Sequence, residues 1–224
     1  MDQAIFFDIC RQRGIIRTGH FVLSQGLHSA NYFNLKQIFA GQDDDLLLDI
    51  SDDLARKLLD GDGRTTSAQV LIGPETGGAN LAEHVADAIK TLTDFGPKVV
   101  RGKKIGGGNF SLSGEDRAFI AGKNCVVVED VWETGSSAIK SAVCGREAGG
   151  NVYMIMAAVE RVDPSRGSAK GLGFALYQFP SQTHEHQPPD NPCPLCIAKV
   201  PINTEVGHGR EFLERLEHLE FLDS

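Results

Sequence analysis

At 224 residues the chain has room for one full α/β domain with a small appendage, not for two complete domains. With 41% hydrophobic and 23% charged residues it has the balance of a soluble globule, and 30 acidic against 22 basic side chains leave a net charge of −8, which speaks against a protein that coats nucleic acid. No apolar run approaches the roughly 20 residues of a membrane span, and the N-terminal stretch MDQAIFFDICRQRG lacks the layout of a signal peptide. The expected setting is the cytoplasm, with neither membrane nor nucleic acid as a partner.

The first 40 residues read as a helix and then a short antiparallel pair, a small hood on the remainder. Asp44 to Leu59 follows with helical spacing of its apolar residues. Val70-Leu71-Ile72 is a compact apolar run that predicts a buried strand, and Ala79 to Leu92 returns to helical spacing. Lys98-Val99-Val100 and Cys125 to Val128 predict two further strands, Ser136 to Ala148 a helix, and Val152 to Val159 another strand. Alternation of this kind predicts a parallel sheet covered on both faces, with ligands beyond the carboxyl ends of its strands. Residues 179–201 are rich in Pro, His, Gln and Asn and read as a loop. Phe212, Leu213, Leu216 and Leu219 then recur at helical spacing and predict an amphipathic helix over residues 208–222 that docks on the body. The expected fold class is α/β, a central mostly parallel sheet flanked by helices with an N-terminal hood, in a single domain over residues 1–224.

The chemistry concentrates in Cys125-Val126-Val127-Val128-Glu129-Asp130-Val131-Trp132-Glu133-Thr134-Gly135-Ser136-Ser137-Ala138. A buried strand delivers two adjacent carboxylates to its C-terminal edge, and a turn of small hydroxylated residues opens a helix. Such a turn aims N–H groups and hydroxyls at a phosphate, helped by the potential of the helix N-terminus. Carboxylates beside a phosphate repel it unless they meet hydroxyls or a cation, and ribose hydroxyls and Mg²⁺ both qualify. No GxGxxG follows a strand and no GxxxxGK[ST] occurs, so dinucleotide-binding and Walker A readings fail.

This stretch resembles the 5-phosphoribosyl 1-diphosphate (PRPP) motif of the type I phosphoribosyltransferases: four apolar residues, two acids, two apolar residues and a small hydroxylated turn. Three more segments resemble the orotate phosphoribosyltransferases in particular. Phe21 to Asn34 (FVLSQGLHSANYFN) is similar to their hood, Gly73-Pro74-Glu75-Thr76-Gly77-Gly78 to their pyrophosphate loop, and Ala158-Val159-Glu160-Arg161 to their strand ending in an acid and an arginine. The resemblance implies transfer of phosphoribose from PRPP to orotate, giving orotidine 5′-phosphate and pyrophosphate. It implies that Glu129, Asp130, Glu133, Thr134, Gly135, Ser136 and Ser137, with Thr76, Gly77, Arg101 and Lys103, hold PRPP. Glu129 and Asp130 would meet Mg²⁺ through water or ribose hydroxyls. Tyr32, Phe33 and Arg161 would meet the base, with Arg161 on the orotate carboxylate. Catalysis would fall to Lys103, Lys104 and Asp130.

Arg101-Gly102-Lys103-Lys104-Ile105-Gly106-Gly107-Gly108-Asn109 stands where the family has its basic loop, and its glycines predict a lid that stays disordered until a ligand pins it. Lys103 is preferred over Lys104 for the leaving group. In relatives this loop often crosses between subunits, which implies a homodimer. The lid is shorter than the family form and has no histidine. Glu133 also departs from the family, and an acid facing the base would favour a purine over anionic orotate. Trp132 reads as packing beneath the turn or at a subunit contact. Two other readings therefore stand beside orotate transfer: a phosphoribosyltransferase for another base, and a PRPP-binding regulator without turnover.

Cys10, Cys125 and Cys144 lie singly in apolar segments and read as core residues. His184, His186, Cys193 and Cys196 form H-x-H followed by C-P-L-C, a candidate set of structural Zn²⁺ ligands. A reduced turn is the favoured reading of that loop. His20, His28, His84, His208 and His218 show no ligand pattern.

Overall fold

The structure is a computed structural model that describes residues 1–23, 26–35, 37–39, 44–60, 68–75, 77–132, 135–162, 173–180, 183–185 and 193–222. In chain order the elements are α1 (Gln3–Gln12), β1 (Ile16–Val22), β2 (Leu27–Phe33), α2 (Asp44–Leu59), β3 (Val70–Pro74), α3 (Gly77–Thr93), β4 (Lys98–Lys104), β5 (Phe110–Ser111), α4 (Gly114–Ile120), β6 (Asn124–Trp132), α5 (Ser136–Glu147), β7 (Asn151–Val162), β8 (Gly173–Pro180), β9 (Thr183–Glu185), α6 (Pro194–Ile197) and α7 (Gly209–Leu222). Two compact units form: Met1–Gln3 with Leu35–Phe179, and Ala4–Asn34 with Pro180–Ser224.

The larger unit holds a six-stranded sheet in the order β5-β4-β3-β6-β7-β8. Its β3–β4, β3–β6 and β6–β7 pairs are parallel and its β4–β5 pair antiparallel. All five residues of β3 are buried, the continuous burial that a strand covered on both faces requires. One face packs on α5, where Ile72, Val127, Ala138, Ala142 and Ile155 share a core with Trp132. Along α2, Leu47, Ile50, Leu54 and Leu58 are buried at steps of three and four residues, the stripe that a helix lays on its neighbours. The amide of Asn80 in α3 donates to the carbonyl of Phe39 at 2.8 Å.

Two expectations are corrected in this unit and its neighbour, and one helix is added. Residues 98–111 form a hairpin, not a loose lid. The Ile105 N–H donates to the Asn109 carbonyl at 2.8 Å, and Gly107 and Gly108 take positive φ values of 71° and 68°. The glycines read as a source of disorder thus supply the left-handed turn that closes β4 onto β5. The helix α4 was not foreseen, although Ser113 caps it by accepting from the Asp116 N–H at 3.1 Å, a local signal visible in Ser-Gly-Glu-Asp. Residues 179–201, read as a loop, contain the end of β8, all of β9 and α6.

In the smaller unit β2 pairs with both β1 and β9, antiparallel in each case. The hood therefore ends near Asn34 and takes the C-terminal segment with it. The terminal helix α7 packs on the hood strands: the His208 N–H donates to the Val22 carbonyl at 2.8 Å, and Phe212 meets the His28 ring edge-on with centroids 4.8 Å apart. No described helix is long and apolar enough to cross a membrane.

Candidate active site at the sheet's switch point

Strands β3 and β6 are parallel neighbours, yet the chain leaves β3 for β4 on one side and leaves β6 for β7 on the other. The turns that follow them diverge and open a crevice at the carboxyl edge, the place where open α/β sheets bind ligands. The crevice walls are in close contact. A Cβ at Gly77, the first residue of α3, would collide with the Asp130 carboxylate, and one at Gly78 would lie 2.7 Å from the Val128 carbonyl. Only a chain without side chains at these positions brings the glycine turn against the acidic end of β6.

Glu129 is buried, at 7% exposure. Its carboxyl is held well above the usual carboxylate range, by burial first and then by the charge of, and a hydrogen bond with, Asp130. Its Oε2 is buried with no hydrogen-bond partner among the described residues. Asp130 Oδ1 accepts from the Val131 N–H at 2.8 Å. A buried carboxyl with raised proton affinity and a spare oxygen, beside a second carboxylate, suits a hydroxyl-bearing or cationic ligand, because either would satisfy the oxygen and stabilise the ionised form.

Beyond β6, Gly135 stands at the N-cap of α5 in the left-handed conformation, and a side chain there would run into the buried Trp132 ring. Trp132 packs beneath the turn, one of the two roles expected for it. Ser136 and Ser137 are exposed in the first turn of α5, on the positive end of the helix dipole. Thr76, Glu133 and Thr134 lie outside the described residues. On β7, register pairs Trp132 with Glu160, so the next residue, Arg161, reaches the same sheet edge and is buried at 8% exposure.

Three of the four cationic side chains of β4, Arg101, Lys103 and Lys104, fall out differently. The Arg101 guanidinium bonds Glu83 of α3, with Nη2 and Nε at 2.6 and 3.1 Å from Oε1. Lys103 and Lys104 are both exposed and, being adjacent in a strand, leave opposite faces. Lys103 shares the face of Arg101 and α3, on which the glycine turn begins. Lys104 shares the face of α5, whose Lys140 donates to the Gly107 and Gly108 carbonyls at 3.3 Å each.

In the hood, Tyr32 packs on Phe21 and Phe33 on Phe7, with centroids 5.5 and 6.2 Å apart. Cys193 and Cys196 do meet two histidines, but these are His20 and His28. Of the expected pair, His184 lies in β9 opposite His28 in register and His186 lies outside the described residues. Sequence spacing could not reveal His20 and His28, because 173 residues separate His20 from Cys193. Burial, and then the neighbouring Cys193, push the Cys196 thiol up to about 11.

Residues 42–144 match the phosphoribosyl transferase domain family. The chain is 30% identical over 184 residues to an orotate phosphoribosyltransferase of Carboxydothermus hydrogenoformans, covering 82% of this chain and 87% of that one. An orotate phosphoribosyltransferase of Desulforamulus reducens is 29% identical over 90% of this chain and 95% of its own. Among solved structures, orotate phosphoribosyltransferase of Mycobacterium tuberculosis in complex with Fe(III) dicitrate superposes with a TM-score of 0.59 at 19% identity, over 80% of this chain and 97% of that one. That likeness concerns the fold, a mostly parallel sheet flanked by helices.

Proposed function

The chain belongs to the orotate phosphoribosyltransferase family, and from that premise we propose that it transfers phosphoribose from PRPP to orotate, forming orotidine 5′-phosphate and pyrophosphate. The observation that carries this reading is the contact between the glycine turn after β3 and the acidic end of β6, which joins a pyrophosphate cradle to a ribose-binding pair. The ring nitrogen of the base bonds to C1 of the ribose as the bond from C1 to pyrophosphate breaks; the leaving group takes the electron pair, and the proton of the ring nitrogen passes to pyrophosphate or to solvent. Positive character grows at C1 and negative charge on the pyrophosphate, so the chain must position its substrates and stabilise charge more than it must remove a proton.

Glu129 and Asp130 orient the ribose hydroxyls at the end of β6. Gly135, Ser136 and Ser137, with Thr134, receive the 5′-phosphate on the first turn of α5. Thr76 and Gly77 cradle the pyrophosphate with backbone groups, and Lys103 reaches the leaving group from the same face of β4. Arg161 offers a planar fork to the orotate carboxylate, and Tyr32 and Phe33 supply the aromatic surface for the base. Glu129 and Asp130 are the residues that would hold Mg²⁺, which would supply neutralising charge for the leaving group. The proposal places the enzyme in the cytoplasm as a homodimer, a state that rests on the resemblance to the family alone.

The test is pyrophosphate release from PRPP and Mg²⁺ with each base in turn. Release with orotate and not with hypoxanthine, guanine or uracil is expected. Release with a purine would instead assign Glu133 to the base, and PRPP binding without any release would make the chain a sensor.

A further inference from the structure

The hood brings two imidazoles and two thiols from distant parts of the chain to one buried point. Their ligand atoms all lie within 4.8 Å of one another. His20 is 1% exposed, His28 and Cys193 are fully buried, and Cys196 is half-buried. The local fold explains how they meet. Val22 pairs with His28, and His20 stands two residues before Val22, so both rings leave the same face of the hairpin as diagonal neighbours. A register shift between Thr18 and Phe21 places the irregularity beside His20, where a bulge can re-aim a side chain. Cys193 and Cys196 bracket the first turn of α6.

The donor geometry is that of a tetrahedral site. Cys196 Sγ lies 3.5 Å from His28 Nδ1 and 3.8 Å from His20 Nε2, and Cys193 Sγ lies 3.9 Å from His20 Nε2. Zn–N bonds of about 2.0–2.1 Å and Zn–S bonds of about 2.3 Å at tetrahedral angles put N and S about 3.5 Å apart. The two ring nitrogens, 2.7 Å apart, need to separate by about 0.6 Å to reach the spacing that such bonds set. The tautomer of His20 is also set. Its Nδ1 lies 2.8 Å from the Val200 carbonyl, which can only accept, so Nδ1 carries the proton and Nε2 turns its lone pair to the other three ligands. A backbone carbonyl on the far nitrogen is the usual orienting partner of a metal-bound histidine. Two thiolates and two neutral imidazoles around a dication sum to zero charge, which a buried site tolerates.

We propose that His20, His28, Cys193 and Cys196 form a structural zinc site that clamps the segment around α6 to the β1–β2 hairpin. No position is left for water or substrate, so the site is closed and serves the hood's fold, independently of the transfer reaction. It has no bearing on which base is used, and metal content reads it without any activity assay.

The experiment is the zinc content of the full-length, untagged chain by elemental mass spectrometry. One zinc per chain is expected, lost in Cys196→Ser and in His28→Ala and retained in His184→Ala. Where a variant does not fold, cobalt(II) added to the metal-stripped wild-type chain answers the same question. It should give the visible absorption of a tetrahedral cobalt–thiolate centre at one equivalent. A wild-type chain that carries no zinc and gives no such spectrum overturns the proposal. So does a Cys193–Cys196 disulfide in its place, or loss of zinc in His184→Ala with retention in His28→Ala.

Discussion

Glu129 carries the sharpest consequence among single residues. Burial and Asp130 raise its proton affinity in the folded chain. Between the ordinary carboxylate value and the raised one, the folded state therefore holds a proton that the unfolded state has lost. Stability falls as pH rises through that window. Glu129→Gln removes the ionisation, and the variant should be more stable than the wild type at pH 7 by about 1 kcal/mol, the common cost of a strained functional site. Thermal unfolding across pH checks this, and equal pH slopes for the two chains would contradict it. The acidic pair and the glycine turn could be read from sequence because each is a contiguous motif. The Cys-x-x-Cys could be read for the same reason, but its histidines could not, since the strand pairing that brings them together is non-local.

The β4–β5 hairpin is the element that departs furthest from expectation. Glycine content alone does not distinguish a mobile lid from a tight turn. The deciding interactions are antiparallel pairing of Lys103 with Ser111 and Lys104 with Phe110, and the Lys140 ammonium on two turn carbonyls, none of which has a periodic signature. The pairing also separates the two lysines by face. Lys103→Ala should lower kcat by about 10²–10³-fold, as expected for loss of a donor to developing charge. Lys104→Ala should cost less than about 10-fold. Steady-state kinetics with PRPP titrated checks the order, and a larger loss in Lys104→Ala would reverse the assignment. The regular strands and helices of the larger unit were legible for the opposite reason. Their apolar residues repeat with the period of the element they form, and α2 spans Asp44–Leu59, as its spacing predicts.

At the scale of the whole molecule the chain gathers into two compact units, and the N-terminal hood does not stand alone in its own. The hood is completed by β9, α6 and α7 from the far end of the sequence. Polar composition hid β9 because backbone pairing to β2 needs no apolar alternation, and tertiary context decides such strands. The larger unit keeps the topology that places a crevice between β3 and β6, and the account stands on that crevice taking a sugar phosphate. A crystal structure with orotidine 5′-phosphate bound tests it most directly. The phosphate should sit on the first turn of α5 at Gly135–Ser137, with the ribose hydroxyls on Glu129 and Asp130. A phosphate bound anywhere else, or a crevice closed by side chains, would contradict it.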